Sequence, residues 1–543
     1  MKPNALVITL GHNASAIALK DGQVICGFEE ERFTLKKSDS SYPMISIEEC
    51  AWIANLSTND TDIYIGHWFV NGRLEASKYA DWLHLNSLFP TATIHSLTQD
   101  FTHHDSHLYS AMAFANSKPG FGDSYNAIVA YGFGTHGEVL SIYRVENGIP
   151  KVTKRHFGFD KSLGMLYQYA TSYMGMQMHN HEYKILAYEV HIFDTEQLRN
   201  LEPLIQALAA DWVNHWLKSL NEISETQDPI VNLSALENTR HIIHAQLDQV
   251  LLDLEIGVID EWNQRVIISR FVQKCVEMAM LHIVQELPEG NLLLSGGLFY
   301  NVKINSQIAN YISGKTCIMP IAGDQGAGLG VYNYHAGNLV WPGHLFWGTR
   351  DLDFDLVDDM MVFDTMEDAM VIIESELKGP GAVNIVRGAM EFGPRALCNT
   401  TTLAMPQTDV VEEINRINKR TTEMPMAPVV TQEQLEEYFE DTDKIHLSQE
   451  YMIVTRNYKP GKADKVLGCA HYYSDLDVYT GRPQVTNDPH LVRLLNKFGP
   501  LVNTSFNYHG VPIVFEGASI TKTHQEQQVN GSKFLTLIIK GIK

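Results

Sequence analysis

Cysteine is scarce: six among 543 residues, at positions 26, 50, 275, 317, 398 and 469, with no C-x-x-C pair. That spacing excludes a zinc ribbon and offers no disulfide framework, so reduced thiols in a cytoplasmic setting are expected. Basic residues are also short. The 41 Lys+Arg face 64 Asp+Glu, a net charge of −23, which excludes a generally basic nucleic-acid coat but not a local basic groove. No apolar run approaches the roughly 20 residues of a bilayer span. The opening stretch MKPNALVITLGHN lacks the apolar core of a signal peptide, so a soluble protein without membrane contact is expected. Low-complexity tracts and long linkers are absent too. What is present, 45% apolar and 19% charged residues, describes a folded chain of two to four domains at about 100–200 residues each.

The first thirty residues predict three strands, Ala5–Leu10, Ala16–Leu19 and Gln23–Glu29, separated by Gly11–Ser15 and Asp21-Gly22 turns. The pattern recurs as Ala127–Ala130, a Gly132–Gly137 turn, Glu138–Val145, an Asn147-Gly148 turn and Pro150–His156. Two copies suggest a duplicated α/β fold with a cleft between its halves; two unrelated meanders are the alternative. Paired glycine turns of this kind resemble those of the actin, sugar-kinase and heat-shock ATPase superfamily. Residues 196–287 are helical in character. Two strand-like runs then end in Ser295-Gly296-Gly297 and in Ala322–Gly330, glycine loops whose backbone N–H groups suit a nucleotide phosphate. The pattern breaks over Gly337–Asp351, which predicts a boundary there, between modules 1–345 and 346–543.

Thr102–His107 leads into a helix-forming run. His103 and His107 are i and i+4, so on a helix they share a face and can grip one metal, whereas His104 points elsewhere. A solvated His-rich helix start is the alternative. Asp324 could supply a carboxylate across the cleft, and two imidazoles with a carboxylate suit Fe(II), Mn or Zn rather than Mg. In the second module Gly393-Pro394 fixes a turn that presents Arg395. Arg395, Lys419, Arg420 and Arg482, if convergent, make a polyanion site in an otherwise acidic chain. Taken singly, each is a surface ion pair. Gln484 and the polar run Asn503–Asn507, with Ser505 and Asn507, would join that site only if they face the cations.

These stretches together resemble the O-carbamoyltransferase family of nodulation-factor, cephalosporin and aminoglycoside carbamoyltransferases. The resemblance runs through Gly11–Ser15, Glu29–Phe33, His103–His107, Ser162–Gly164, Glu182–Lys184, Ser295–Gly297, Gly323–Gly326, Met390–Leu397 and Asn503–Asn507. It implies an actin-like N-terminal module and a YrdC-like α/β C-terminal module. It implies that ATP, with Mg, and carbamoyl phosphate yield carbamoyl-adenylate at Arg395, Lys419, Arg420, Arg482, Gln484, Ser505 and Asn507. The carbamoyl group then passes to an acceptor hydroxyl in the N-terminal site. There a metal would sit on His103, His107 and Asp324, and nucleotide on Lys184, Gly296, Gly297, Asn301 and Gly326. His12 is a candidate base for the acceptor proton, and Lys37 a candidate acceptor contact.

Three departures from the family pattern stand out. Tyr131 replaces an aspartate ligand before the Gly-x-Gly turn, and either ligates the metal as phenolate, leaves it fewer ligands or impairs transfer. Cys398–Thr402 removes a cation after Arg395-Ala396-Leu397, and Met424-Pro425-Met426 lacks an arginine. The last two resemble virus-encoded members, some of which act on 5-hydroxymethylcytosine in DNA. The expected acceptor is therefore 5-hydroxymethylcytosine in DNA or nucleotide, in host cytoplasm, with Arg32–Lys37 as a phosphate-contacting edge. A sugar or natural-product hydroxyl is the alternative. Threonylcarbamoyl transfer to tRNA and an actin-like ATP sensor without transferase activity are the other readings.

Overall fold

A computed structural model describes residues 2–68, 79–189, 199–220, 233–255, 260–349, 356–420, 426–440, 447–473 and 477–541. Arg350, Asp351, Met424 and Pro425 lie outside them.

The N-terminal module is built from two five-stranded sheets of the same design. In the first, β1 (Asn4–Thr9), β2 (Ser15–Lys20) and β3 (Gln23–Glu29) form an antiparallel meander, and β4 (Thr61–Trp68) and β5 (Ile94–Leu97) add in parallel beyond β1. In the second, β6 (Tyr125–Ala130), β7 (Glu138–Glu146) and β8 (Ile149–Phe157) repeat the meander, and β9 (Leu292–Ser295) and β10 (Thr316–Ile318) add in parallel beyond β6. The order 3-2-1-4-5 in one sheet thus equals 8-7-6-9-10 in the other. This is the duplicated actin-like fold. Short parallel strands covered on both faces read as unbroken apolar runs, and every residue of β6 and β9 is buried.

Helices Glu202–Leu220, Leu233–Asp253 and Glu261–Gln285 form the insertion between β8 and β9. The duplication also pairs two helices. His103–Asn116 follows β5 and Ala327–Ala336 follows β10, and they pack so closely that a Cβ at Gly330 would lie 1.7 Å from the Ser106 carbonyl oxygen. Glycine is therefore required there by contact rather than by φ.

The second module opens with β11 (Phe346–Gly348), which pairs with β14 (Met390–Glu391). Its seven-stranded mixed sheet takes β12 (Met360–Phe363), β13 (Ala382–Arg387), β15 (Thr400–Ala404), β16 (Ala427–Val430), β20 (Gln484–Val485), β21 (Leu501–Ser505) and β22 (Thr536–Ile539), in the order 12-22-13-15-21-16-20. A small sheet joins β17 (Arg456–Asn457), β18 (His471–Tyr473) and β19 (Val478–Gly481). One apolar cluster spans both modules, although the second also has cores of its own. Leu447, Tyr451, Met452, Ile453 and Val454 pack into the apolar cluster of the β6–β10 sheet, and Ser448 Oγ bridges the amide and carbonyl of Ile318 at 3.0 and 2.8 Å. Of the polar run Asn503–Asn507, the first three residues end strand β21, where Thr400–Ala404 offers a ladder partner, and Phe506 and Asn507 follow it. No helix among the described residues is long and apolar enough to cross a membrane, and all six cysteines are buried and free.

Candidate metal and phosphate sites in one cleft

The carboxyl ends of parallel strands are where open α/β sheets bind ligands, and here the ends of both sheets face each other. His12 follows β1, Tyr131 follows β6, Gly296 and Gly297 follow β9, and Asp324 lies in the turn before helix Ala327–Ala336. Thr102 caps helix His103–Asn116 in a reciprocal capping box with Asp105, fixing its first turn. That turn brings His103 and His107 to Asp324. Their Nε2 atoms stand 3.1 and 3.5 Å from Asp324 Oδ1 and 3.1 Å from each other.

All three side chains are buried, and their ligating atoms lie within 4.8 Å of one another. Asp324 Oδ1 has no hydrogen-bond partner of acceptable geometry. A buried carboxylate oxygen without a donor, facing two imidazole nitrogens, is a donor set that could hold a divalent transition metal. Burial alone would raise the Asp324 carboxyl, but His12 and His103 outweigh it and hold it well below the usual carboxylate range. Burial pushes His107 down to about 4 despite Asp324; a neutral imidazole is the ligating form. His104 turns away, as its spacing predicts, with Nδ1 on Ser141 Oγ at 2.8 Å.

Tyr131 stands beside this cluster. Its hydroxyl meets His12 Nε2 at 2.8 Å, and His12 Nε2 lies 3.6 Å from Asp324 Oδ2. Burial and then Asp324 push the phenol well above its usual range. Its ring edge leaves no room for a Cβ at Gly297, which would sit 2.8 Å away. Behind the helix, Arg155 makes two bonds to Asp105, at 2.7 and 2.8 Å, and another to Glu138, while Tyr143 donates to Asp105 at 2.9 Å. No sequence pattern marked this support, because its members come from three separate elements.

The cleft continues from His103, Tyr131 and Asp324 into the second module as one cavity of about 1960 Å³. Its far end is lined by Arg395, Arg420, Arg482, Thr504, Ser505 and Asn507. Arg420 donates to Thr504 Oγ1 at 2.7 Å, to the Ser505 carbonyl at 2.9 Å and to Asn507 Oδ1 at 3.1 Å. Arg395 Nε is buried without a partner, and among the described residues no carboxylate reaches Arg482. Burial, with repulsion from Arg395, brings Arg482 down to about 9; burial brings Arg420 down to about 10. None of the three meets a carboxylate among the described residues, so they can take an anionic ligand.

The remaining candidates fall in several places. Lys37 lines the cavity beside these arginines; burial, with Arg420 and Arg395 against the pull of Glu31, lowers its ammonium. Lys419 does not join them: it is exposed, in the left-handed region at φ 50°, with its ammonium 5.5 Å from the Tyr508 ring. Gln484 lies under the floor, bonded to Asn503. Gly297 and Asn301 line the cavity, and Asn301 also caps helix Val302–Tyr311. Lys184, Gly296 and Gly326 are close by without lining it. At Gly296, φ is +97° and a Cβ would meet the Ala130 carbonyl oxygen at 2.3 Å. The phosphate-contacting edge expected at Arg32–Lys37 is corrected at Arg32, which is 1% exposed and bonded to Glu29. Sequence reasoning missed His179, which lines the cavity with its ring 5.0 Å from His12; burial and then His12 bring it down to about 4.

Two family models match, described as carbamoyltransferase N-terminus over residues 91–332 and carbamoyltransferase C-terminus over residues 375–539. An uncharacterized protein of Methanocaldococcus jannaschii is 25% identical over 93% of both chains. Nodulation protein NolNO of Sinorhizobium fredii is 24% identical over 98% of this chain and 79% of its own. A 3'-hydroxymethylcephem-O-carbamoyltransferase of Amycolatopsis lactamdurans is 30% identical over 42% of this chain and 44% of its own.

Proposed function

Because the chain belongs to the carbamoyltransferase family, we propose that it transfers the carbamoyl group of carbamoyl phosphate to an acceptor hydroxyl by way of carbamoyl-adenylate. The observation that carries this reading is one cavity joining three arginines, none paired with a carboxylate among the described residues, to the His103–His107–Asp324 cluster. The chemistry divides along it. At the second module water cleaves carbamoyl phosphate to carbamate and phosphate. A carbamate oxygen then attacks the α-phosphorus of ATP, which brings its own Mg, and pyrophosphate leaves. Arg395, Arg420 and Arg482 meet the charge that develops on the departing phosphates, with Ser505 and Asn507 as hydrogen-bonding walls. At the first module the acceptor oxygen attacks the carbamoyl carbon, the bond to the adenylate oxygen breaks, and AMP leaves. His12 takes the acceptor proton at Nε2, the atom that faces Tyr131 and Asp324. Gly296, Gly297, Asn301, Gly326 and Lys184 form the surroundings of the adenylate phosphate.

His103, His107 and Asp324 would hold a divalent metal, Fe(II), Mn or Zn by donor type, with Tyr131 as a further oxygen donor in place of His12's hydrogen bond. When bound, such an ion supplies Lewis-acid stabilisation of developing oxyanion charge. Lys37 serves the phosphate end, beside Arg395 and Arg420, rather than the acceptor.

For the acceptor we propose a hydroxymethyl group on a ring, with 5-hydroxymethylcytosine in DNA or nucleotide the first candidate. A relative's name specifies a hydroxymethyl cephem, and the cavity walls include His179 beside His12 as well as the packed rings of Phe133 and Phe159, which suit a planar ring. Recognition of a DNA acceptor would be by pocket, since Arg32 is spent inside the fold. The test offers hydroxymethylcytosine DNA, hydroxymethylcytidine monophosphate and an aminoglycoside in parallel, each with ATP and carbamoyl phosphate. The expected result is one added carbamoyl group by mass spectrometry on the first two; gain on the aminoglycoside alone rejects the ring acceptor. Pyrophosphate release dependent on carbamoyl phosphate is expected throughout, and its absence would leave the ATP-sensor reading.

A further inference from the structure

The stretch Glu29–Phe33 has no place in the chemistry above, yet its charged side chains are almost entirely inside the protein. Glu29, Glu30 and Arg32 are 3%, 2% and 1% exposed. Glu30 accepts from the amides of Ile45 and Ser46 at 3.2 and 2.9 Å, which caps helix Met44–Ile53. Phe33 and Phe28 pack on Phe515 of the second module, with ring centroids 5.2 and 5.6 Å apart. Glu29 and Arg32 do something more specific. The Gly393 amide donates to Glu29 Oε2 at 3.0 Å, and Arg32 Nη2 donates to the Gly393 carbonyl at 2.7 Å while also bonding Glu29 at 2.8 Å. One peptide segment of the second module is thus held on both its polar groups by an ion pair of the first.

Gly393 has φ +101°, and a Cβ there would lie 2.9 Å from Ile321. The turn continues through Pro394 to Arg395, whose guanidinium enters the phosphate end of the cavity. From the other side Glu391 Oε1 accepts from the amides of Leu397, Asn399 and Thr400 at 2.8, 2.8 and 3.0 Å. The loop around Arg395 is therefore anchored at both ends, once within its own module and once from the other. A buried ion pair is weak support for stability; what it does secure is geometry. The same first-module segment runs on to Lys37, which lines the cavity next to Arg395 and Arg420.

We infer that Glu29 and Arg32 are positioning residues of the second module's phosphate site: they hold Gly393 so that Arg395 stands where a phosphate-bearing substrate docks. The inference rests on the reading of that site as a phosphate site. It makes the site a composite that exists only with the modules docked.

The test uses the full chain and two readouts: pyrophosphate affinity by calorimetry, and the KM for carbamoyl phosphate in pyrophosphate release. Glu29→Gln and Arg32→Lys are each expected to weaken pyrophosphate binding and raise that KM by about ten- to a hundredfold, the cost of a small misplacement. Metal content should stay at the wild-type level, because the histidine cluster is elsewhere. In an Arg395→Gln background neither substitution should add a further loss, since both act through Arg395. A folded Glu29→Gln chain with unchanged pyrophosphate affinity, or losses that add in full to those of Arg395→Gln, would overturn the inference. Wild type that binds no pyrophosphate would overturn it as well. Should Glu29→Gln not fold, Arg32→Lys, which keeps a donor for the Gly393 carbonyl, decides the matter by the same measurements. Wild type that binds pyrophosphate through Arg395 but releases none from ATP and carbamoyl phosphate would reject the adenylation reading and leave the positioning role standing.

Discussion

Replacing His103 or His107 with alanine is expected to strip the chain of metal and lower carbamoyl transfer about a thousandfold, while pyrophosphate release continues. The reason lies in how few donors the cluster has. Two imidazole nitrogens and one carboxylate, all buried and within 4.8 Å of one another, leave a two-donor remnant once either histidine is gone. Loss of several kcal/mol of charge stabilisation at the transferring group, at 1.36 kcal/mol per tenfold, gives that magnitude. Pyrophosphate release should persist because Arg395, Arg420 and Arg482 share no bond with the histidines. Elemental analysis of the purified variants and mass spectrometry of the acceptor read the two halves separately. Full metal content together with full transfer in either variant would remove these histidines from the site. Tyr131→Phe is the companion: if the phenol ligates, metal retention falls about 10- to 100-fold, and if it only bonds His12, retention does not change.

The fold was legible where its signal is local. A strand, a glycine turn and a strand recur at Ala5–Leu19 and Ala127–Val145 because a meander needs tight turns between apolar runs, and the two sheets repeat the same strand order. His103 and His107 were legible by the same kind of rule, since i and i+4 share a helix face. Their partner Asp324, more than 200 positions away, was legible only through the glycine loop that carries it.

What escaped the sequence depends on contacts between remote elements. Nothing around Lys419 separates it from Arg420, yet the helix ends at Ile417 and the chain turns left-handed at Lys419. One side chain consequently lies over Tyr508 and the other enters the cavity. Arg32 read as part of a phosphate-contacting edge because nothing local to it marks its burial. One partner, Gly393, lies 361 residues away. Lys37 carries no local mark of its place beside Arg420. The acidity of the chain gained a meaning as well: against a net charge of −23, cations without carboxylates are conspicuous only once the fold shows which ones lack them.

Arg482→Gln is expected to cut pyrophosphate release about 10²- to 10³-fold, the usual loss for one donor aimed at developing charge, and at the same time to leave the fold as stable or more so. Both effects have one origin. Arg482 sits half-buried with Arg395 close by, and among the described residues no acid answers it; burial and that neighbour bring it down to about 9. At neutral pH it remains charged, so the folded chain carries the cost of a desolvated, repelled cation. Substitution by a neutral amide of similar reach removes that cost, for a gain of about 0.5–2 kcal/mol, as at sites where stability is traded for activity. Below pH 9 the wild-type charge opposes folding. Above it, through the ordinary arginine range, the unfolded chain binds the extra proton, so wild-type stability recovers with rising pH and the difference from Arg482→Gln narrows. Chemical denaturation at pH 7 and pH 10 measures both the gain and its loss. A marked destabilisation would mean that Arg482 has a structural anion inside the protein, and an unchanged rate of pyrophosphate release would exclude it from the phosphate site. A phosphate bound beside Arg482 would supply the charge the fold withholds, so pyrophosphate is expected to stabilise the wild type more than Arg482→Gln.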